Sequence, residues 1–429
     1  MFQWVMLGIT VILLGVLMIR KPLWLVPLLG AALALEISVT WYPEIDVVSR
    51  MLGPVSLALL TSVAIILAAL VRLLFFPEMV RKLRAVLKDF LTLTLILFLV
   101  LGAASVIYSA DPGKTVAEAG MLCFLLVLFI SIALLMDKDK ALLPLKAVHG
   151  TALLLSPLAF YEGFFDSALW QADNLLREQA LGVSATFASP DGFARYIILA
   201  IAANFIIQLY VRDKGNKMVY WGALAILLAE LAMTYSLGGI LTLAIILILA
   251  LIFIPNRSAV LWVLGLGVFC GALFLFIRPD IWGELMNSIQ NFATANPERY
   301  NLWQEALAAF KANVILGTGL GSFAAGHFST SILTIAAELG ILGLSLLAIL
   351  WIVLCGRLFT LYAQSSDFLS MFNNYNNEYY VGNAYLLWTL TILVNSQMEG
   401  RFFEDPFLWL SCALLVVLKL NREYNIRLD

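Results

Sequence analysis

Charge is scarce in this 429-residue chain, where Asp, Glu, Lys and Arg together make up only 13%. An ordinary soluble domain carries about a quarter. With 62% hydrophobic residues and a mean hydropathy of +0.95, that scarcity excludes a soluble globular fold. Strict apolar–polar alternation, which outer-membrane barrel strands need, is also missing. The four cysteines, Cys123, Cys270, Cys355 and Cys412, lie inside apolar runs without metal-ligand spacing and read as small buried hydrophobes. There are two histidines, His149 and His327, and no Asp-rich metal motif. No metal and no cofactor are therefore expected. The formal charge of −2 says little as a total, and no nucleic acid is expected among the partners.

What the chain does have is apolar runs of about 20 residues, the length that crosses a hydrocarbon core as helix. Backbone groups in lipid must satisfy one another, so such runs form helices. The candidate spans are 4–19, 23–40, 53–76, 90–108, 116–136, 147–161, 190–211, 218–235, 238–255, 259–277, 331–354, 379–396 and 406–420. The first is followed by Arg20-Lys21 without a small-residue cleavage site and reads as a retained helix. The expected fold is all-α: a polytopic transmembrane bundle of about 12–14 spans, one integral domain over 1–429.

Basic residues set the orientation. One side collects 18 of the 26, including Arg20, Lys21, Arg81, Lys82, Arg84, Lys88 and the tail Lys419, Arg422 and Arg427. The other holds Arg50, Lys114, Arg177, Arg195, Arg278, Arg299, Lys311 and Arg401. The richer side is assigned to the cytoplasm, which leaves the C-terminus inside and the N-terminus outside. Two long connections then fall on the outer face, 162–189 and the large loop 279–330. Within the second, 298–311 (ERYNLWQEALAAFK) reads as a helix with Leu302, Ala306, Leu307 and Phe310 at helical spacing. The helix is expected to break at the glycine-rich LGTGLG ending at Gly321.

The outward polar residues are the candidates for chemistry. Ser189-Pro190 is suited to begin a helix, which places Arg195 in its first turns; a snorkelling anchor is the plain alternative. Arg299 lies in the loop helix, with Arg278 a competitor for the same role. Gly319 and Gly321 belong to a turn whose N–H groups can approach an anion; a simple re-entry turn fits equally. The stretch lacks the lysine and Ser/Thr of a nucleotide loop, so no nucleotide site is assigned. His327 follows that turn; imidazole as a side-chain type suits proton transfer, and a structural histidine is the plain alternative. Glu399 and Arg401 lie on the last outer segment, either as substrate contacts or as a surface pair. Glu36 and Glu230 are the clearest acids within spans.

The order of these segments resembles a known family. SVIYSADP (105–112), ATFASPDGFARY (185–196), TYSLGG (234–239), RYNLWQEAL (299–307), GTGLGSF (317–323) and HFSTSILTIAAELGILGL (327–344) are similar, in that order, to motifs of the O-antigen ligase and polymerase superfamily. Two positions depart from the pattern: Leu237 replaces an arginine, and Phe328 replaces an asparagine. The resemblance implies a metal-independent, inverting glycosyltransferase of the bacterial inner membrane, with its site facing the periplasm. The implied donor is a polyprenyl-diphosphate-linked glycan and the implied acceptor a glycan or lipid-linked hydroxyl. It implies Arg195, Arg299 and His327 as the catalytic residues. A polymerase joining lipid-linked repeats is the alternative within the family. A transporter or lipid flippase is the alternative outside it, although no internal repeat is evident.

Overall fold

A computed structural model describes residues 2–165, 182–210, 214–253, 257–277, 297–323, 330–365, 377–397 and 401–425. Among these the secondary structure is helical, without strands. The first helices are α1 (Phe2–Arg20), α2 (Leu25–Ala32), α3 (Asp46–Leu52), α4 (Leu57–Phe75) and α5 (Pro77–Lys88). They are followed by α6 (Phe90–Ala104), α7 (Pro112–Leu135), α8 (Leu142–Phe165), α9 (Pro190–Tyr210) and α10 (Lys214–Met233). The rest are α11 (Leu237–Phe253), α12 (Arg257–Ile277), α13 (Pro297–Ala312), α14 (Ser331–Ser365), α15 (Asn377–Asn395) and α16 (Pro406–Asn425). Seven of the described helices are long and apolar enough to cross a membrane, and five shorter apolar helices accompany them. The chain is an all-α, polytopic membrane protein.

Twelve of the thirteen expected spans are helices near their expected places, one of them, 331–354, broken at Gly340. The exception is 23–40, which runs as a 3₁₀ turn (Pro22–Trp24), α2 and a second 3₁₀ turn (Glu36–Trp41). Tertiary hydrogen bonds replace the broken helical ones. Ile37 donates its N–H to Thr186 O at 3.0 Å, and Thr186 Oγ1 donates to Ala34 O at 2.6 Å. Irregular backbone at membrane depth is tolerated only where the protein itself satisfies it in this way.

Helix α9 is the centre of the bundle, packed against α8, α10, α11 and α15. Its residues from Phe193 to Ile207 are almost all buried, whereas α1 buries only Leu14 and faces outward. Large side chains with one polar atom join the layers. Trp388 Nε1 donates to Leu199 O at 2.8 Å, Trp409 Nε1 to Phe403 O at 2.8 Å, and Tyr196 Oη to Val148 O at 3.2 Å. Each buries its ring while the one polar group finds a backbone carbonyl.

The two ends of the bundle are held by different charges. At the end rich in basic residues, Asp89 lies buried between Arg357 and Lys419, whose Nζ is 2.9 Å from Asp89 Oδ2. Burial alone would raise the Asp89 carboxyl; Arg357, Lys419 and the Leu91 N–H outweigh that and hold it below its ordinary value. Among the described residues, Arg195, Gly319, Gly321 and Arg401 lie at the opposite end.

Candidate active site

Helix α14 is interrupted where an apolar span meets a glycine. Gly340 has φ +60° and ψ −152°, a backbone conformation that costs an L-residue energy and suits glycine. The break severs helical hydrogen bonds, and the glycine-rich turn after α13 restores them. Thr318 N–H donates to Ala337 O at 2.9 Å and Gly319 N–H to Glu338 O at 2.8 Å, while Ile341 N–H donates to Val314 O at 2.8 Å. Gly317, Gly319 and Gly321 all have positive φ. A Cβ on Gly317 would stand 2.6 Å from Leu339 N, and one on Gly319 would stand 2.5 Å from Ser109 Cβ. The turn therefore works as a wedge. Gly319 spends its N–H on the broken helix instead of holding it out to an anion, and Gly321 directs its N–H toward the Glu338 carboxylate.

The same wedge gathers the 105–112 motif. Ser105 Oγ accepts from Leu320 N–H at 2.9 Å, and Ala110 N–H donates to Thr318 O at 2.9 Å. The 185–196 and 234–239 motifs form a second contact. Ser236 donates to the Asp191 carboxylate and caps α11 by accepting from Gly239 N–H at 2.9 Å. A Cβ on Gly239 would stand 2.8 Å from the Ala194 Cβ, so only glycine allows this approach of α9 and α11.

Arg195 and Arg401 meet at the short segment 401–405, Arg401 as its first residue and Arg195 through Asp405. As expected, α9 begins at Pro190, which puts Arg195 in its second turn. Its Nη1 is 3.2 Å from Asp405 Oδ2; the Arg195 side chain is 26% exposed and that of Asp405 only 4%. Asp405 is itself fixed, because its Oδ1 accepts from Phe407 N–H at 2.8 Å and caps α16. Glu36 completes this group: it accepts from Ala188 N–H at 2.8 Å and lies within electrostatic reach of Arg195 and Asp405. The guanidinium is thus aimed by a buried carboxylate yet still partly open.

Arg401 is more deeply enclosed, with a side chain 9% exposed. It contacts Glu338, whose side chain is fully buried, together with Glu118 at 3.1 Å and Glu404 at 3.2 Å, and it donates to Phe323 O at 3.2 Å. Burial works against the Arg401 charge, but Glu338, Glu404 and Glu118 more than offset it and hold the proton more tightly than usual. Phe402 and Phe403 pack on Phe98 at 6.0 and 5.4 Å between ring centroids, and Phe402 N–H donates to Ser331 Oγ at 3.2 Å. Glu118, Glu338, Glu404 and Asp405 were not among the sequence candidates. A signal existed for two of them, since Glu118 and Glu338 are acids inside apolar helices, where ionisable groups are rare and paired.

Of the other candidates, Arg278, His327 and Glu399 lie outside the described residues, so a Glu399–Arg401 pair has no geometry here. Arg299 falls in α13, the expected loop helix, with its side chain outside the described residues. Phe323 and Ser331, on either side of 324–329, both hydrogen-bond to the 401–402 segment. Among the described residues no group of three or more His, Cys, Asp or Glu is placed to hold a metal ion.

An all-helical membrane bundle with paired arginines at its basic-poor end defines the class in which comparisons are informative. Residues 222–348 match the family model described as O-antigen ligase. The matched stretch runs from α10 through the loop helix, the glycine wedge and the break at Gly340. The match covers less than a third of the chain; over that stretch the protein is similar to the O-antigen ligase family, which supports a membrane glycosyltransferase of the ligase or polymerase type. No curated protein matches it. Arg195 and Arg401 lie outside the matched residues, yet the fold packs 401–405 against that region through Glu338 and Ser331.

Proposed function

We propose that this protein transfers a glycan from a polyprenyl-diphosphate carrier to an acceptor hydroxyl at the outer, periplasmic face of a bacterial inner membrane. The observation that carries the reading is the Arg195–Asp405 pair at the basic-poor end, joined to a region that matches the O-antigen ligase family. In the reaction the acceptor oxygen bonds to the anomeric carbon as the bond from that carbon to the diphosphate oxygen breaks. The electron pair leaves with the polyprenyl diphosphate, and attack opposite it inverts the anomeric centre.

Arg195 and Arg299 are assigned to the growing charge on the leaving diphosphate. A guanidinium fork suits phosphate oxygens and stays charged at any relevant pH. Fixed positive charge in a water-poor site stabilises such a leaving group without reorganisation. His327 is assigned as the base that takes the acceptor proton. Asp405 is a positioning residue that holds Arg195. Arg401 has its charge taken up by Glu338, Glu118 and Glu404, so its role is to fix the 401–405 segment.

The test is transfer by purified protein in proteoliposomes supplied with a polyprenyl-diphosphate glycan. Folded and inserted Arg299→Ala and His327→Ala variants are expected to lose roughly 10²–10⁴-fold in rate. Unchanged transfer by both would end the proposal. Product ladders from donor alone would mark a polymerase, whereas transfer only after a second acceptor is added marks a ligase.

A further inference from the structure

At the opposite end of the bundle, α5 has a surface that the transfer reaction does not use. Consecutive residues of an α-helix step about 100° around its axis. On that wheel Lys82, Leu83 and Val86 form one side, and they are turned toward the protein. Val86 is fully buried. Lys82 Nζ donates to Leu134 O at 2.9 Å and to Met136 O at 2.7 Å, closing the C-terminal end of α7. Burial draws the Lys82 ammonium below its ordinary value, although Asp137 opposes that. The helix is therefore pinned.

The outward side divides into two strips. Val80 and Leu87 are exposed apolar residues on one edge. Beside them Arg84, Lys88 and Arg81 fall within an arc of about 60°, all exposed. None of the three makes an ion pair with a described residue. Exposed Leu74, Phe75 and Phe76 lead into the helix from α4. An apolar strip bordered by a basic one, on a helix fixed at the end of a membrane bundle, is the pattern of a helix lying in the bilayer interface.

We propose that α5 is a binding surface for anionic phospholipid headgroups, with Arg81, Arg84 and Lys88 on the phosphodiesters and Val80 and Leu87 in the acyl boundary. Charge complementarity selects this occupant over a zwitterionic lipid. Because Lys82 and Val86 fix the helix before any lipid arrives, little ordering is needed on binding. Each basic residue near an anionic surface strengthens binding about fivefold, and the effect is screened by salt.

The experiment uses full-length protein in mixed micelles of phosphatidylglycerol and phosphatidylcholine, with the retained lipid counted by native mass spectrometry. The wild-type chain is expected to retain phosphatidylglycerol preferentially. The R81Q/R84Q/K88Q variant is expected to lose that preference by at least tenfold, and R81K/R84K to keep it. K140Q/K146Q, which removes two charges from the same end, is expected to leave it nearly unchanged. Size-exclusion profiles and thermal melts check the folding of each variant. Undiminished enrichment in the folded triple variant overturns the proposal, as does an equal loss in K140Q/K146Q.

Discussion

Replacing Arg401 by glutamine should damage the fold more than its position beside a surface turn suggests. The side chain is 9% exposed and faces Glu338, whose carboxylate has no exposure, with Glu118 and Glu404 at 3.1 and 3.2 Å. Removing the cation leaves a buried carboxylate without its charge partner, and breaking such a pair costs about 3–5 kcal/mol. Glu338→Gln alone should cost less, because Glu118 and Glu404 still face Arg401. In the double variant the uncompensated charge is gone, so the pair should cost about 2 kcal/mol less than the sum of the single changes. The assay is reversible unfolding of the detergent-solubilised protein by titrated SDS, followed by circular dichroism, for the four members of the cycle. Additive effects, or an Arg401→Gln cost below about 1 kcal/mol, would refute the view that this guanidinium holds the 401–405 segment.

Gly317→Ala and Gly340→Ala should each lower stability by about 3 kcal/mol or more, since both combine a positive φ with a backbone atom in the way of a Cβ. Thermal melts check this, and a Gly113→Ala control in open helix should differ little. Asp89 sets an acid limit. Its folded value lies below the ordinary 3.8, so its contribution is complete above that value and drains away as pH falls through the lower folded one. The stability curve of Asp89→Asn should be flatter below pH about 4. Glu230→Gln is expected to retain glycan transfer, measured in proteoliposomes; loss of function there, with Arg195 and Arg299 dispensable, would favour a transporter.

Helix positions were legible because apolar length is a local property, and most of the twelve runs meet their helices within a few residues, although the helix from Ser331 continues to Ser365, past the expected 354. The run 23–40 was misread as continuous because its interruption comes from Thr186 and Ala188, about 150 positions away. Composition carries no trace of such partners. The glycine turn was visible as a helix breaker, but its donors go to the carbonyls freed by Gly340. Neither segment alone announces that exchange. Arg195 and Arg401 stood out as isolated cations on apolar segments. Glu118 and Glu338 carried a signal as acids inside apolar helices, but nothing in the sequence joined them or Asp405 to these arginines, because the three come from separate elements. The acids singled out within spans, Glu36 and Glu230, fare differently: Glu36 joins the Arg195 group, while Glu230 is buried within α10 and neither of its carboxylate oxygens has a hydrogen-bond partner among the described residues.

The most direct test of the central claim, that fixed guanidinium charge stabilises the departing diphosphate, is single-turnover glycan transfer by Arg195→Lys and Arg195→Ala at saturating donor and in the presence of a metal chelator. The account predicts full wild-type activity with the chelator, a partial loss in the lysine variant, and a loss of roughly 10²–10³-fold in the alanine variant. Wild-type turnover in Arg195→Ala, or abolition of wild-type transfer by the chelator, would contradict it.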